Sequence, residues 1–195
     1  MDATAQGQLS LTVRTGLPAE VAYLRESYPR PLWRGHANYG HLADFWLHVH
    51  GSLREYGKAL EEITEAFREG RSDATLFQQA FVPRMNQFLQ HLMGHHQIED
   101  QAYFPKFRAL DPRMAVGFEL LENDHVLIHE RLLGSVDSAR GLMAALSQDA
   151  DARRRAADAY ASVSRDLLAL LLRHLEDEEE LVIPGMLQHG ERSLA

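Results

Sequence analysis

The sequence predicts an all-α protein. We expect an antiparallel up-down-up-down four-helix bundle at residues 36–195, preceded by an N-terminal arm at residues 1–35. Beyond about residue 38, apolar residues recur every three or four positions in four long stretches, which is the period of an amphipathic helix. The polar connections between these stretches are short, as they are in antiparallel helical bundles.

The N-terminal arm differs from the rest of the chain. Apolar and polar residues alternate over residues 9–13, which predicts a short strand. Pro18 is expected to begin a short helix that reaches about Tyr28 and ends before Pro29. Because a lone strand has no partner in this sequence, we expect the arm either to wrap around the domain or to pair across a homodimer.

The first two long helices are predicted between residue 38 and the middle of the chain. The first runs to about Gly70, where glycine ends the periodic pattern. The second is expected to open at Ser72 or Asp73. Pro83 lies early in this second stretch and should kink the helix or mark its real start, because proline removes a backbone hydrogen bond.

The third and fourth helices are predicted in the C-terminal half. The third opens with Asp111 and Pro112, a capping residue followed by proline at the first helical position. The fourth follows the polar turn at residues 147–151 and contains Pro184 near its end. These patterns alone are typical of most helical bundles, so they predict the fold and not the function.

Composition limits the classes of function. The 195 residues are 45% hydrophobic and 25% charged, as in an ordinary globular domain. The absence of cysteine excludes disulfides, iron–sulfur clusters and thiol nucleophiles, and it suits a cytoplasmic protein. A net charge of −8 argues against nucleic acid and an anionic membrane as partners. The longest apolar run, residues 167–172, is too short to span a bilayer, and the N-terminus resembles no secretory signal.

Histidine is the unusual residue, with eleven copies, and several of them follow a repeated motif. A histidine, a glutamate four residues later, a second acidic residue and a proline occur with identical spacing at residues 95–105 and 174–184. Each copy is preceded by a histidine on the helix before it, His50 in one case and His125 in the other. The chain therefore resembles two helical hairpins that carry the same polar pattern.

The repeated residues are expected to face the core. Residues four apart lie on the same side of a helix, so each histidine and its glutamate point the same way. Glu99 and Glu178 fall within apolar stripes that contain no lysine or arginine. Since a buried carboxylate without a partner is costly, whereas divalent cations compensate it, the pattern predicts a metal site.

The third helix adds His129, four residues after His125. The candidate ligands are then five histidines and two glutamates: His50, His95, Glu99, His125, His129, His174 and Glu178. If each carboxylate bridges two ions, one ion receives three histidines and the other two. That count leaves one ion with an open coordination position, as a ligand-binding centre requires. The sequence singles out no separate catalytic residue.

Three other histidines are alternatives. His48 competes with His50 on the first helix, and we favour His50 because it neighbours Trp46 on the apolar face. On the second helix His91 lies one turn before His95 and could be an outer hydrogen-bond partner or an extra ligand. Whether His91 or His96 joins the site stays open from the sequence.

These residues resemble the hemerythrin-like (HHE cation-binding) family over roughly residues 36–189. The resemblance rests on His50, on the His-x3-Glu pairs of residues 95–99 and 174–178, and on His125 with His129. It implies a non-heme di-iron centre inside a four-helix bundle. By similarity the two glutamates would bridge two iron ions, with a bridging oxo or hydroxo group, and the five histidines would be terminal ligands.

The expected function is binding or sensing of a small ligand, such as dioxygen, nitric oxide or peroxide, at an open iron position. Iron rests on the resemblance, because the donor set alone equally suits manganese or zinc. One alternative is a redox enzyme that acts on such molecules at the same site, so the sequence leaves enzymatic activity undecided. The other alternative is a metal-free helical interaction module.

Overall fold

A computed structural model of the chain describes residues 9–194, and the part described is helical without a strand. This confirms the all-α prediction, while the up-down order of the helices stays a prediction. The α-helices are α1 His41–Arg68, α2 Ala74–Ile98, α3 Phe104–Leu110, α4 Ala115–Ala145 and α5 Ala150–His189. Shorter elements are the 3-10 helices Arg30–Gly35, Pro112–Met114 and Glu191–Leu194 and the π-helix Glu99–Tyr103.

The helix boundaries follow local side-chain chemistry. Asp73 precedes α2, and its carboxylate accepts a hydrogen bond of 2.9 Å from the backbone N–H of Leu76. Asp149 precedes α5 and accepts a 2.8 Å bond from the N–H of Ala152. Both are N-caps that satisfy a backbone donor which the first helical turn leaves without a partner. After α1 the chain reverses at Gly70, whose φ of 72° is accessible to glycine at little cost.

The second predicted helix is interrupted where its glutamate lies. It begins at Ala74, so Pro83 lies inside α2 and does not mark its start. The α-helical pattern ends at Ile98, and Glu99 opens a single π-helical turn in which the N–H of Phe104 bonds to the carbonyl of Glu99. Such turns add one residue to the helical repeat and are frequent at functional sites.

The N-terminal arm differs from its prediction. The expected strand is wrong, because residues 11–13 form a turn in which the N–H of Val13 bonds to the carbonyl of Ser10 at 3.0 Å. The expected helix from Pro18 is replaced by consecutive turns, and a 3-10 helix starts at Arg30. The physical reason is that the segment has no neighbouring strand to pair with and is held by individual buried side chains instead.

The chain divides into two compact units. The first contains the described residues up to Gly51, residues 95–126 and residues from Leu172 onward. Its apolar core combines arm residues with helical ones, among them Leu17, Trp33 and Phe118. The arm is therefore part of the folded core of this unit.

The second unit comprises Ser52–Gly94 and Leu127–Leu171. Its interior is aromatic: Phe81 stacks on Phe77 with ring centroids 5.0 Å apart and meets Tyr160 edge to face at 5.0 Å. The Tyr160 hydroxyl, buried with the rings, bonds to the sulfur of Met85 at 3.8 Å. Apolar burial of this kind stabilises a unit without any cation.

None of the helices in residues 9–194 combines the length and the apolar character that crossing a membrane would require.

Asp111 offers a test of how the loop before α4 is held. It is buried, and its carboxylate accepts bonds from Tyr23 at 2.5 Å and from the Arg113 side chain at 2.7 Å. The hydrogen-bonded Arg113 side chain, with Tyr23, lowers the pKa of Asp111, while burial and the bond to Asp111 raise the pKa of Tyr23 to about 12.

Asp111→Asn is expected to lower the free energy of unfolding by about 1–2 kcal/mol at pH 7, because it weakens partly buried charge-assisted bonds. A lowered folded-state pKa stabilises above the unfolded pKa of about 3.9 and loses its effect as the pH falls. The penalty should therefore shrink toward pH 3, as measured by urea unfolding. Asp137→Asn, on an exposed pair with Arg140, is the control. An equal Asp111→Asn penalty at both pH values would contradict this account.

Candidate metal centre

Two clusters of potential metal ligands lie in the first unit. The first cluster consists of His50, His95, Glu99 and Glu178, each of which offers one ligand atom within 4.8 Å of the others. The Nε2 atom of His50 lies 3.1 Å from Glu178 Oε1, and the Nδ1 atom of His95 lies 3.0 Å from Glu99 Oε1. Three of the four are buried, and the His95 side chain is only 7% exposed.

The second cluster consists of three buried histidines, His96, His125 and His174. The Nε2 atoms of His125 and His174 lie 3.1 Å apart. The ring of His96 stacks on that of His125, with centroids 3.9 Å apart and planes at 9°. Three imidazoles so close together form a site that is rich in nitrogen donors and contains no carboxylate of its own.

The two glutamates lie between the clusters. Glu178 places Oε1 3.1 Å from His50 and Oε2 3.2 Å from His174. Glu99 places Oε1 3.0 Å from His95 and Oε2 3.7 Å from His125. In each carboxylate, therefore, one oxygen faces the first cluster and the other oxygen faces the second.

An outer set of carboxylates orients the histidines. The Nδ1 atom of three of the histidines lies within hydrogen-bond distance of an acidic side chain. These pairs are His50 with Glu179 at 3.0 Å, His125 with Asp100 at 2.8 Å and His174 with Asp124 at 3.3 Å. A partner at Nδ1 fixes the ring and leaves Nε2 as the donor that faces the cluster, as in many metal–histidine sites.

The repeated motif explains two of these outer partners. Asp100 follows Glu99, and Glu179 follows Glu178, so each copy carries an inner and an outer carboxylate side by side. The outer one reaches a histidine on another helix, α4 in the case of Asp100 and α1 in the case of Glu179. Each copy of the motif thus supplies ligands and orients the histidine of a neighbouring helix.

Burial sets the charge state of several groups. It lowers the pKa of His95 and of His96 well below the usual value, so both imidazoles are neutral and keep a lone pair for a cation. Burial, together with the neighbouring Glu178, raises the pKa of Glu99. For His174, burial acts in the opposite direction to its bonds with Asp124 and Glu178, which prevail and raise its pKa to about 9.

The donor set fits a divalent cation. The Nε2 atom of His95 is buried and has no hydrogen-bond partner among the described residues. The groups that lie within ion-pair distance of Glu99 and Glu178 are histidines, and in residues 9–194 no lysine or arginine pairs with either. Two buried carboxylates without a lysine or arginine partner are costly, and a cation held by nitrogen and oxygen donors compensates them.

Six of the seven residues that the sequence predicts as ligands lie in these clusters. The seventh, His129, is exposed and belongs to neither cluster, whereas His96 lies in the second. His129 is about 40° around α4 from His125 but a full turn further along the axis, so a shared face does not bring it to the same place. His91 lies in neither cluster and meets the Tyr56 ring at 5.5 Å.

The position of His96 had a signal in the sequence. His95 and His96 are adjacent, and adjacent residues point about 100° apart on an α-helix. They therefore reach different clusters from the same turn of α2. On the first helix, His50 is buried and His48 is exposed. Asp124 directly precedes the candidate ligand His125, and no sequence pattern marks it as an outer hydrogen-bond partner.

A family model for the hemerythrin HHE cation-binding domain matches residues 41–186. The chain belongs to this family. The match begins at the first residue of α1 and ends within α5, so it includes both clusters. The cation-binding character of the HHE domain agrees with the ligand groups found in the structure. Comparison with curated proteins and comparison with solved structures give no match.

The geometry predicts different effects for substitution of His96, near the end of α2, and of His129 in α4. His96→Ala is expected to weaken binding of one cation equivalent by about tenfold or more, because it removes a donor from a cluster of three. His129→Ala should leave cation binding unchanged. Competition with a chromogenic chelator measures both affinities, and circular dichroism checks that both variants fold. A larger loss in His129→Ala than in His96→Ala would contradict the assignment of the second cluster.

Proposed function

We propose that this protein holds a di-iron centre that binds or senses a small ligand such as dioxygen, nitric oxide or peroxide. The observation that carries the proposal is the placement of Glu99 and Glu178, each with one oxygen toward each cluster. Two carboxylates in that position are suited to bridging two cations. Membership of the HHE cation-binding family supports the part of this proposal that concerns cation binding.

The ligands would divide unequally between the two ions. The first cluster would contribute the two histidines His50 and His95, and the second would contribute His96, His125 and His174, with both glutamates shared. One ion would then have a histidine fewer than its neighbour. This difference supports an open coordination position at the first cluster, which is what a small ligand needs.

Iron is the metal that we propose. Nitrogen and oxygen donors without sulfur suit iron, manganese and zinc, so the donor set restricts the metal without deciding it. The choice of iron follows the resemblance to hemerythrin-like proteins. The carboxylate-rich di-iron sites of ferritin-like bundles have fewer histidines. A histidine-rich set of this kind favours a centre that binds its ligand reversibly. When bound, a pair of iron ions supplies a coordination position and redox electrons for such a ligand.

The surrounding side chains hold the glutamates and exclude water. The indole N–H of Trp46 donates a hydrogen bond of 2.6 Å to Glu178 Oε1, which fixes the carboxylate from the side of α1. The buried ring of Phe104 stacks against His125, with centroids 5.6 Å apart. Trp46 also meets the ring of His95 edge to face at 6.4 Å. Aromatic walls and a buried donor create a dry environment, in which electrostatic interactions are stronger than in water.

Elemental analysis combined with absorption spectra under air and under nitrogen tests the proposal. After iron-replete expression we expect about two iron ions per chain, with a near-ultraviolet band that changes when azide or oxygen is added. A colourless protein that contains only zinc would contradict the di-iron centre. A protein without stoichiometric metal would favour the helical interaction module instead.

A pair of glutamate variants makes this test specific. Glu178→Gln keeps the size of the side chain but removes the charge that balances the cations, so the iron content should fall to about half or less. Glu176→Gln is the matched control, because Glu176 lies two residues earlier on α5 with its side chain 50% exposed. Equal iron content in the two variants would count against bridging by Glu178.

A further inference from the structure

Two arginines of residues 9–40 lie beside the candidate metal centre. This segment precedes the part of the chain that the family model matches. Arg14 is buried although it lies in a turn of the arm, and Arg30 opens the 3-10 helix that follows. Each arginine pairs with an outer carboxylate, Arg14 with Asp124 and Arg30 with Glu179. Both of these carboxylates bind the Nδ1 atom of a candidate ligand histidine.

Arg14 makes the more extensive contact. Its two Nη atoms form a fork on the carboxylate of Asp124, with Nη1 2.9 Å from Oδ1 and Nη2 in contact with Oδ2. The Oδ2 atom of Asp124 lies 3.3 Å from Nδ1 of His174. A continuous chain of hydrogen bonds therefore runs from an arm residue to a histidine of the second cluster. A two-pronged arginine fixes a carboxylate in both position and orientation.

A second acidic residue completes the surroundings of Arg14. Its Nε atom donates a 2.7 Å bond to Asp177, whose other oxygen lies 2.8 Å from Arg173 Nη2. Arg173 also donates a 2.8 Å bond to the backbone carbonyl of Thr15 and so holds the arm directly beside Arg14. Two arginines and two aspartates balance in charge, which makes burial of the group acceptable.

Arg30 makes the corresponding contact at the first cluster. It pairs with Glu179, whose Oε1 lies 3.0 Å from Nδ1 of His50. The Arg30 guanidinium also lies over the Trp33 ring, 5.1 Å from its centroid. The Arg30 side chain is 54% exposed, so water screens its charge more than that of Arg14. The arm thus reaches a histidine of each cluster, strongly at the second and more weakly at the first.

Outer partners of metal-bound histidines control metal binding. They fix the ring and adjust the basicity of the donor nitrogen, and their loss typically weakens binding about 10–100-fold. We infer that Arg14 and Arg30 are positioning residues of the metal centre, which hold Asp124 and Glu179 against His174 and His50 and thereby set the cation affinity of each cluster. This inference rests on the proposed function, since it requires both histidines to be ligands.

A set of full-length variants tests the inference, with Co²⁺ as the probe and a competing chelator to measure affinity. Arg14→Gln should weaken one of the two Co²⁺ equivalents by about 10–100-fold. Arg14→Lys keeps the charge without the fork and should recover part of that loss. Arg30→Gln should weaken the other equivalent less, because Arg30 is exposed.

Arg25→Gln is the matched control. Arg25 is also an arm arginine and pairs with Glu180 of α5 at 2.8 Å, but Glu180 belongs to neither cluster. The affinity of the Arg25→Gln variant for Co²⁺ should stay within about twofold of that of the wild-type protein. Where Arg14→Gln fails to fold, the double variant with Asp177→Asn also removes one of the two buried carboxylates that Arg14 contacts, and it should show the same selective loss.

A second measurement separates positioning from simple support of the fold. Coupling between two sites is reciprocal, so Co²⁺ binding should slow amide hydrogen exchange in the arm around Thr15. Arg14→Gln should abolish this protection, while Arg25→Gln should keep it. If wild type binds Co²⁺ and Arg14→Gln matches Arg25→Gln in both measurements, the inference is wrong and the proposed function stands. If the wild-type protein binds no cation, the proposed function is wrong, and the inference that rests on it is wrong as well.

Discussion

Burial of Glu99 and Glu178 is the constraint on which the rest of the site depends. A carboxylate taken out of water without a lysine or arginine partner is expensive, and within residues 9–194 this holds for both glutamates. Imidazole groups lie on either side of each carboxylate, and the indole N–H of Trp46 donates to Glu178. These groups lower the cost only in part, and a bound cation is the remaining compensation that the donor set fits.

The two units differ in the side chains that fill them. The second unit is filled by aromatic side chains such as Phe81 and Tyr160, which stabilise it by burial alone. The first unit contains the ligand clusters and recruits arm residues, including Leu17 and Trp33, into its core. Polar groups can be concentrated in one unit because the apolar packing of each unit supplies stability of its own.

Orientation at the centre is achieved in successive layers. Three of the histidines point Nε2 inward because their Nδ1 atoms are held by Asp100, Asp124 and Glu179. Two of those carboxylates are held in turn by Arg14 and Arg30 of the arm. Each layer restricts the one inside it, so the precise placement of a ligand depends on residues well separated from it in sequence.

The sequence by itself determined the four long helical stretches, the repeated motif and most of the candidate ligands, because these depend on periodicity within single elements. The choice of His50 over His48 agrees with their burial, since helical phase alone separates a core face from a solvated one. Only the tertiary structure decided that His96 joins a cluster while His129 does not, because position along a helix axis depends on how neighbouring helices align. It also decided the place of Arg14, whose two carboxylate partners lie more than a hundred residues away. Contacts of that range arise from packing, and no local pattern encodes them.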